Sequence, residues 1–155
     1  MANYVRPVVD AVAAVLEKYT PALLAAMETP RDPFREYLRA FTGQLKNPPA
    51  VWVMPGRTAI DPEATVLRQQ SVITVRIGVT GSEPEDLMDA ALDYVRAVSD
   101  AVLVASGGAD WGQDILRVFP EVHDYGPLYT QGKAFARFPE VHLVADHAEL
   151  MPEEQ

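Results

Sequence analysis

Ser71-Val-Ile-Thr-Val-Arg-Ile-Gly-Val79 is the stretch on which the fold turns. Ile73, Val75, Ile77 and Val79 alternate with Thr74, Arg76 and Gly78, the period-two pattern of a strand with one face buried. Gly81 ends it. A helix follows at once, over Glu83 to about Val104. Leu87, Ala91, Val95, Val98 and Val102 recur on its inward face, while Asp89, Asp93, Arg96 and Asp100 take the other side. Ser82 and Glu85 have the spacing of a capping box, Pro84 suits the first turn, and Glu83, Glu85 and Asp86 complement the positive end of the helix dipole. Ser106-Gly107-Gly108 stops the helix.

Upstream of this pair, Val8, Val12, Val15, Leu16, Tyr19 and Leu23 mark a helical face between Tyr4 and about Met27. Thr20-Pro21 makes it one kinked helix or two joined helices. Asp32 as N-cap, Pro33, and the apolar set Phe34, Tyr37, Leu38 and Phe41 predict a short second helix that Gly43 stops. Beyond Asn47-Pro48-Pro49, Ala50-Val51-Trp52-Val53-Met54 reads as a strand closed by Pro55-Gly56. Residues 56–70 are polar without a stable period, as a long loop or a protruding hairpin would be. Downstream, Ile115–Val122 and Lys133–Ala145 are strand candidates, separated by Tyr125-Gly126-Pro127 and Gly132. Pro120 and Pro139 belong at strand ends, edges or bulges, because neither supplies an N–H.

The order predicts an α+β fold with an antiparallel or mixed four-stranded sheet and helices on one face. The strands near 71–79 and 133–145 are its expected centre. Residues 1–150 are read as one domain and 151–155 as a frayed tail. With 155 residues and 48% hydrophobic side chains, the chain can bury about 68–70% of its unfolded surface. No apolar run approaches the ~20 residues of a membrane span. Arg6, Pro7 and Asp10 break the opening apolar stretch, so a signal peptide is not expected. The absence of cysteine excludes disulfides, thiolate nucleophiles and cysteine metal sites, and fits a cytosolic origin.

The net charge of −9 is unevenly placed. Residues 1–81 hold 9 Lys/Arg and 7 Asp/Glu, whereas residues 82–155 hold 4 and 15. The acidic half should repel phosphate, which argues against sequence-independent binding of nucleic acid. Solubility is the plain explanation. A surface that lets nucleic acid pass without sticking is the sharper one.

Candidate chemistry is sparse. His123-Asp124, His142 and Asp146-His147 are the histidine–carboxylate combinations, and His142 and Asp146 would share one strand face. Their spacing matches no metal or acid–base motif, so solvated surface residues are the better reading. Asp61 and Glu63 have no histidine partner. Ser106-Gly107-Gly108-Ala109 follows a helix instead of leading into one and is no phosphate loop. Trp52 reads as core and Trp111 as either core or a partner anchor. No catalytic, cofactor-binding or metal-ligating residue is therefore expected.

The succession of a long helix, a Pro-Ala-Val-Trp-Val strand, a polar loop, the Val-Ile-Thr-Val-Arg-Ile-Gly-Val strand, a Leu-Met-Asp-Ala-Ala-Leu-Asp-Tyr-Val helix and a closing β pair resembles the small tail-terminator and tail-completion proteins of long-tailed phages and prophages. The resemblance runs from about Val8 to Ala145. It implies a non-enzymatic virion protein at the head–tail junction, assembled in the host cytoplasm. It further implies a self-associated ring, expected to be hexameric, whose partners are the tail tube protein and the head-connector proteins. DNA would pass through the lumen without specific binding, and no cofactor would be needed. A heterologous ring requires unlike patches, which a near-neutral front half and an acidic back half would supply. A small cytoplasmic ligand- or protein-binding accessory domain is the alternative, and an enzyme comes third.

Overall fold

The computed structural model describes residues 5–39, 45–63, 66–105, 107–112 and 114–150. Its elements are α1 (Arg6–Ala25), β1 (Glu36–Leu38), β2 (Ala50–Glu63), β3 (Val66–Gly81), α2 (Pro84–Val104), a π-helical turn (Gly107–Trp111), β4 (Ile115–Asp124), β5 (Leu128–Gln131), β6 (Ala134–Arg137) and β7 (Glu140–Leu150). The class is α+β, with one mixed sheet of seven strands and not four. The extra strands arise where Gly126-Pro127 and Phe138-Pro139 interrupt the second half, and where β1 adds to the edge of β2.

β3 is the spine. On one side it pairs antiparallel with β2, from Ala50↔Gly78 to Glu63↔Val66. On the other it pairs first with β7, from Val66↔Leu150 to Arg76↔Glu140, and then with β6, from Val79↔Arg137 to Gly81↔Phe135. The change of partner falls at Pro139, whose carbonyl accepts the Ile77 N–H at 2.8 Å. Because β4 pairs with β7 and β5 with β6, residues 115–150 form one long hairpin broken at the same level in both strands. Gly126 holds the break at φ +66°, and the Arg137 guanidinium donates to its carbonyl at 2.9 Å.

Alternation along β3 puts Ile73, Val75, Ile77 and Val79 against the helices, as the sequence implies. Val8, Val12, Leu16 and Leu24 of α1 and Leu87, Ala91, Val95 and Val98 of α2 close the core over them. α1 runs unbroken through Pro21, which settles the choice between one helix and two. Thr20, fully buried, turns its hydroxyl back to the Leu16 carbonyl at 2.6 Å and so satisfies itself within the helix. Trp52 lies on the opposite face of the sheet, 1% exposed, beside Phe138. Gly78 permits this, because a Cβ there would sit 2.8 Å from the Trp52 ring.

Two local expectations are corrected. The helix expected over Asp32–Thr42 is absent from the described part, 32–39. Arg35 donates its N–H to Pro49 at 2.8 Å, and Glu36–Leu38 pairs parallel with Ala50–Trp52. The i, i+3 spacing of Phe34 and Tyr37 serves an edge-on ring contact at 5.9 Å instead of a helix face. Residues 40–42 lie outside the described set. The capping box at Ser82 does not form either. Glu83, extended at φ −117°, is the N-cap and carries no side-chain cap bond, so Ser82 stands one residue too early. For the segment 56–70 the hairpin alternative holds: the β2–β3 ladder resumes at Thr58↔Ser71 after a bulge. The start of the first helix at Tyr4, Ser106 and the tail 151–155 are outside the described residues.

Candidate functional site

Gln69 and Ser71 continue the inward stripe of β3 past Ile73, so polar side chains occupy core-facing positions at this end of the sheet. Register brings Thr58 of β2 beside Ser71, and Ile60 and His147 to either side of Gln69. Ser71 Oγ stands 2.8 Å from His147 Nε2 and 2.8 Å from Thr58 Oγ1, making a continuous hydrogen-bonded chain. Burial lowers the His147 pKa, against a smaller opposing pull from Asp146. The neutral imidazole is favoured by that burial, and its Nε2 can accept from or donate to the Ser71 hydroxyl. Gln69 is 4% exposed, and neither its amide nitrogen nor its amide oxygen has a partner. A cavity of about 630 Å³ adjoins this cluster, lined among others by Ile60, Asp61, Gln69, Leu116, Arg117 and His147.

A serine and a histidine at this distance invite comparison with a nucleophile–base pair. Two features oppose it. Ser71 is fully buried on the helix side of the sheet, out of reach of a substrate. Asp146, next to His147 in sequence, projects to the opposite face, where it meets Arg117 at 3.3 Å and Gln70 at 3.2 Å and leaves the imidazole without an orienting carboxylate. As built, the chain is a structural network that joins three strands.

The other singled-out residues are dispersed. His142 and Asp146 do share a face of β7, as alternation predicts, but His142 pairs with Glu140 at 3.0 Å and not with Asp146. His123 reaches across to Ser99 of α2 at 2.5 Å. Asp124 accepts the Gly126 N–H at 3.0 Å, a local turn contact. Asp61 sits on β2, not in a loop, and Glu63 ends that strand. Among the described residues no group of three or more His, Asp or Glu could hold a metal ion. Trp111, like Trp52, is buried. Its turn is anchored through Asp110, which accepts from Lys18 Nζ at 2.8 Å and from the Tyr19 hydroxyl at 3.0 Å.

A second surface stands out on the flank made by α2 and β4. A cleft of about 740 Å³ runs between them, lined by Leu92, Val95, Ser99, Leu103, Pro120 and His123. Along it Leu103 is 62% exposed and Leu92 42%, and Arg96, Asp100 and Glu121 add charge to the same walls, whereas the exposed Leu116 lines the cavity beside Gln69. Among the described residues β4 pairs only with β7, so its outer edge is free. Pro120 and two bulges interrupt that edge, a device that discourages indiscriminate strand addition.

Sequence reading missed the Thr58–Ser71–His147 chain and the role of Gln69. A signal was present: Gln69 and Ser71 stand in phase with Ile73, Val75 and Ile77. Comparison with known proteins adds no name to either surface, since no protein-family model and no curated protein matches the chain. Among the described residues no helix is long and apolar enough to cross a membrane.

Proposed function

We propose that the protein is a non-enzymatic, ring-forming component of a phage head–tail junction, of the tail-terminator or tail-completion kind, and most simply a hexamer. The observation that carries this reading is the cleft between α2 and β4, along which Leu92 and Leu103 are exposed. Exposed apolar side chains gathered along a concave surface are a feature of association sites. The order of elements read from the sequence carries the resemblance, and the divided charge favours contacts between unlike surfaces. An acidic balance also suits a conduit that DNA traverses. The test is electron microscopy of the protein mixed with assembled tail tubes, and of the intact particle. Rings capping tube ends or occupying the neck are expected. Bare tube ends and an unoccupied neck overturn the reading.

The cavity beside Gln69 gives the binding-module alternative its own support, because its volume lies within the range of small-molecule pockets, about 300–1,000 Å³. A monomer at all concentrations, stabilised by a small ligand, would favour that reading over the ring.

A further inference from the structure

We infer that two copies of the chain join through their β5 strands (Leu128–Gln131), laid antiparallel and edge to edge about a two-fold axis at Tyr129. Such a contact is isologous, so it stands apart from the heterologous contact of a ring and does not rest on that reading.

β5 closes the path β1-β2-β3-β6-β5, and among the described residues no strand pairs with its outer side. Its hairpin with β6 turns through Gly132-Lys133, and Gln131↔Ala134 is the closing pair. A two-residue turn hydrogen-bonds its closing pair, so alternation directs the N–H and C=O of Leu128 and Thr130 away from β6. Open edge groups of this kind are a template for another strand. Elsewhere the sheet blunts its edges. Pro120 and two bulges interrupt β4, Pro55 and a bulge interrupt β2 beyond Trp52, and β1 has only three residues. β5 has no proline, no charged residue and no shift of register. Leu128 is 37% exposed and Tyr129 45%, so a large apolar side chain stands open on each face of the strand.

The strand is complementary to itself. With Leu128 of each copy opposite Thr130 of the other, every outward N–H and C=O of these two residues finds a partner. Tyr129 then faces Tyr129 across the axis at a pair without hydrogen bonds, where opposed side chains approach most closely. Its ring is already braced, since Phe138 meets it edge-on at 5.8 Å. Charge agrees with this partner and this direction. Asp124 precedes the strand and Lys133 follows it, both exposed, and residues 125–132 carry no charge between them. Antiparallel pairing sets Lys133 of each copy beside the Asp124 end of the other, whereas parallel pairing would set like charge against like. A charged peptide would find no opposite charge along 125–132. Two strands of this length fall short of the ~1,200 Å² that a stable interface buries, so the dimer is weak and depends on concentration.

Analytical ultracentrifugation of the isolated protein tests this. Between about 10 μM and 1 mM the wild-type chain should pass from monomer towards dimer. Thr130→Pro removes an outward N–H that β6 does not use, so the hairpin stays and dimerisation should weaken at least about tenfold. Tyr129→Glu and Tyr129→Lys each place like charges on the axis, so each alone should be monomeric. An equimolar mixture of the two should recover the dimer, which also shows that the single variants are folded. A wild-type chain that stays monomeric throughout overturns the inference and leaves the edge to a strand of a different protein. Thr130→Pro dimerising as the wild type does, or Tyr129 variants that stay apart on mixing, overturn it equally.

Discussion

Gln69 is held among apolar and hydrogen-bonded neighbours with both polar atoms of its amide unsatisfied. A buried amide without partners forfeits its hydration and gains nothing in return, a cost of about 1–3 kcal/mol. Gln69→Met keeps the length and removes that cost, so it should raise stability by about 1–2 kcal/mol. The midpoint of urea denaturation measures this, and a lower midpoint would mean that the amide has a partner in the folded protein. The neighbouring Ser71–His147 contact shows the contrary case, a polar pair made tolerable in the core by mutual satisfaction. Residues of this kind are hard to recognise in a sequence. Gln69 and His147 are far apart along the chain and meet only through the β3–β7 register. Their phase on the strand says that they point inward, but not what they meet there.

Proline and glycine set the boundaries of the elements. α2 and β3 were legible because their periods are strong and their faces uniform. The apolar stripe of α1 was equally plain, although only the structure decides that Pro21 stays within one helix. The segment 32–38 was misread because its aromatic spacing suits a helix while its backbone is claimed by β2, a tertiary choice that local pattern does not record. The second half was undercounted for a related reason. Tyr125-Gly126-Pro127 reads as a separator between strands and Lys133–Ala145 as one strand through Pro139, yet Gly126-Pro127 and Phe138-Pro139 stand level with one another and divide a single hairpin. Gly126 is the critical point of that break. At φ +66° an added Cβ would also stand 3.2 Å from the Phe138 carbonyl oxygen. Gly126→Ala should therefore cost about 1–2 kcal/mol from left-handed backbone strain alone. A denaturant midpoint unchanged from wild type would show that the break relaxes freely.

At the scale of the whole molecule, charge governs which partners are admissible. The back half, with 15 Asp/Glu against 4 Lys/Arg, presents no basic track for a phosphate backbone. Duplex DNA should migrate unchanged in the presence of the protein at about 0.15 M salt. A retarded band that disappears on raising the salt would contradict the conduit interpretation and point to electrostatic binding. The spine position of β3 has a further consequence, for the time course of folding. Its neighbour β2 ends at Glu63, close before Val66 in sequence, whereas its other neighbour β7 arrives only after more than sixty intervening residues, Arg76 meeting Glu140 and Val66 meeting Leu150. The β2–β3 hairpin therefore closes at small entropic cost, and β7 must find its place against a much longer loop. High contact order of this sort slows folding, and it makes the docking of β7 the late step. During that interval β3 shows an open edge and an uncovered apolar face. The chain is then most exposed to association with its own copies through that edge.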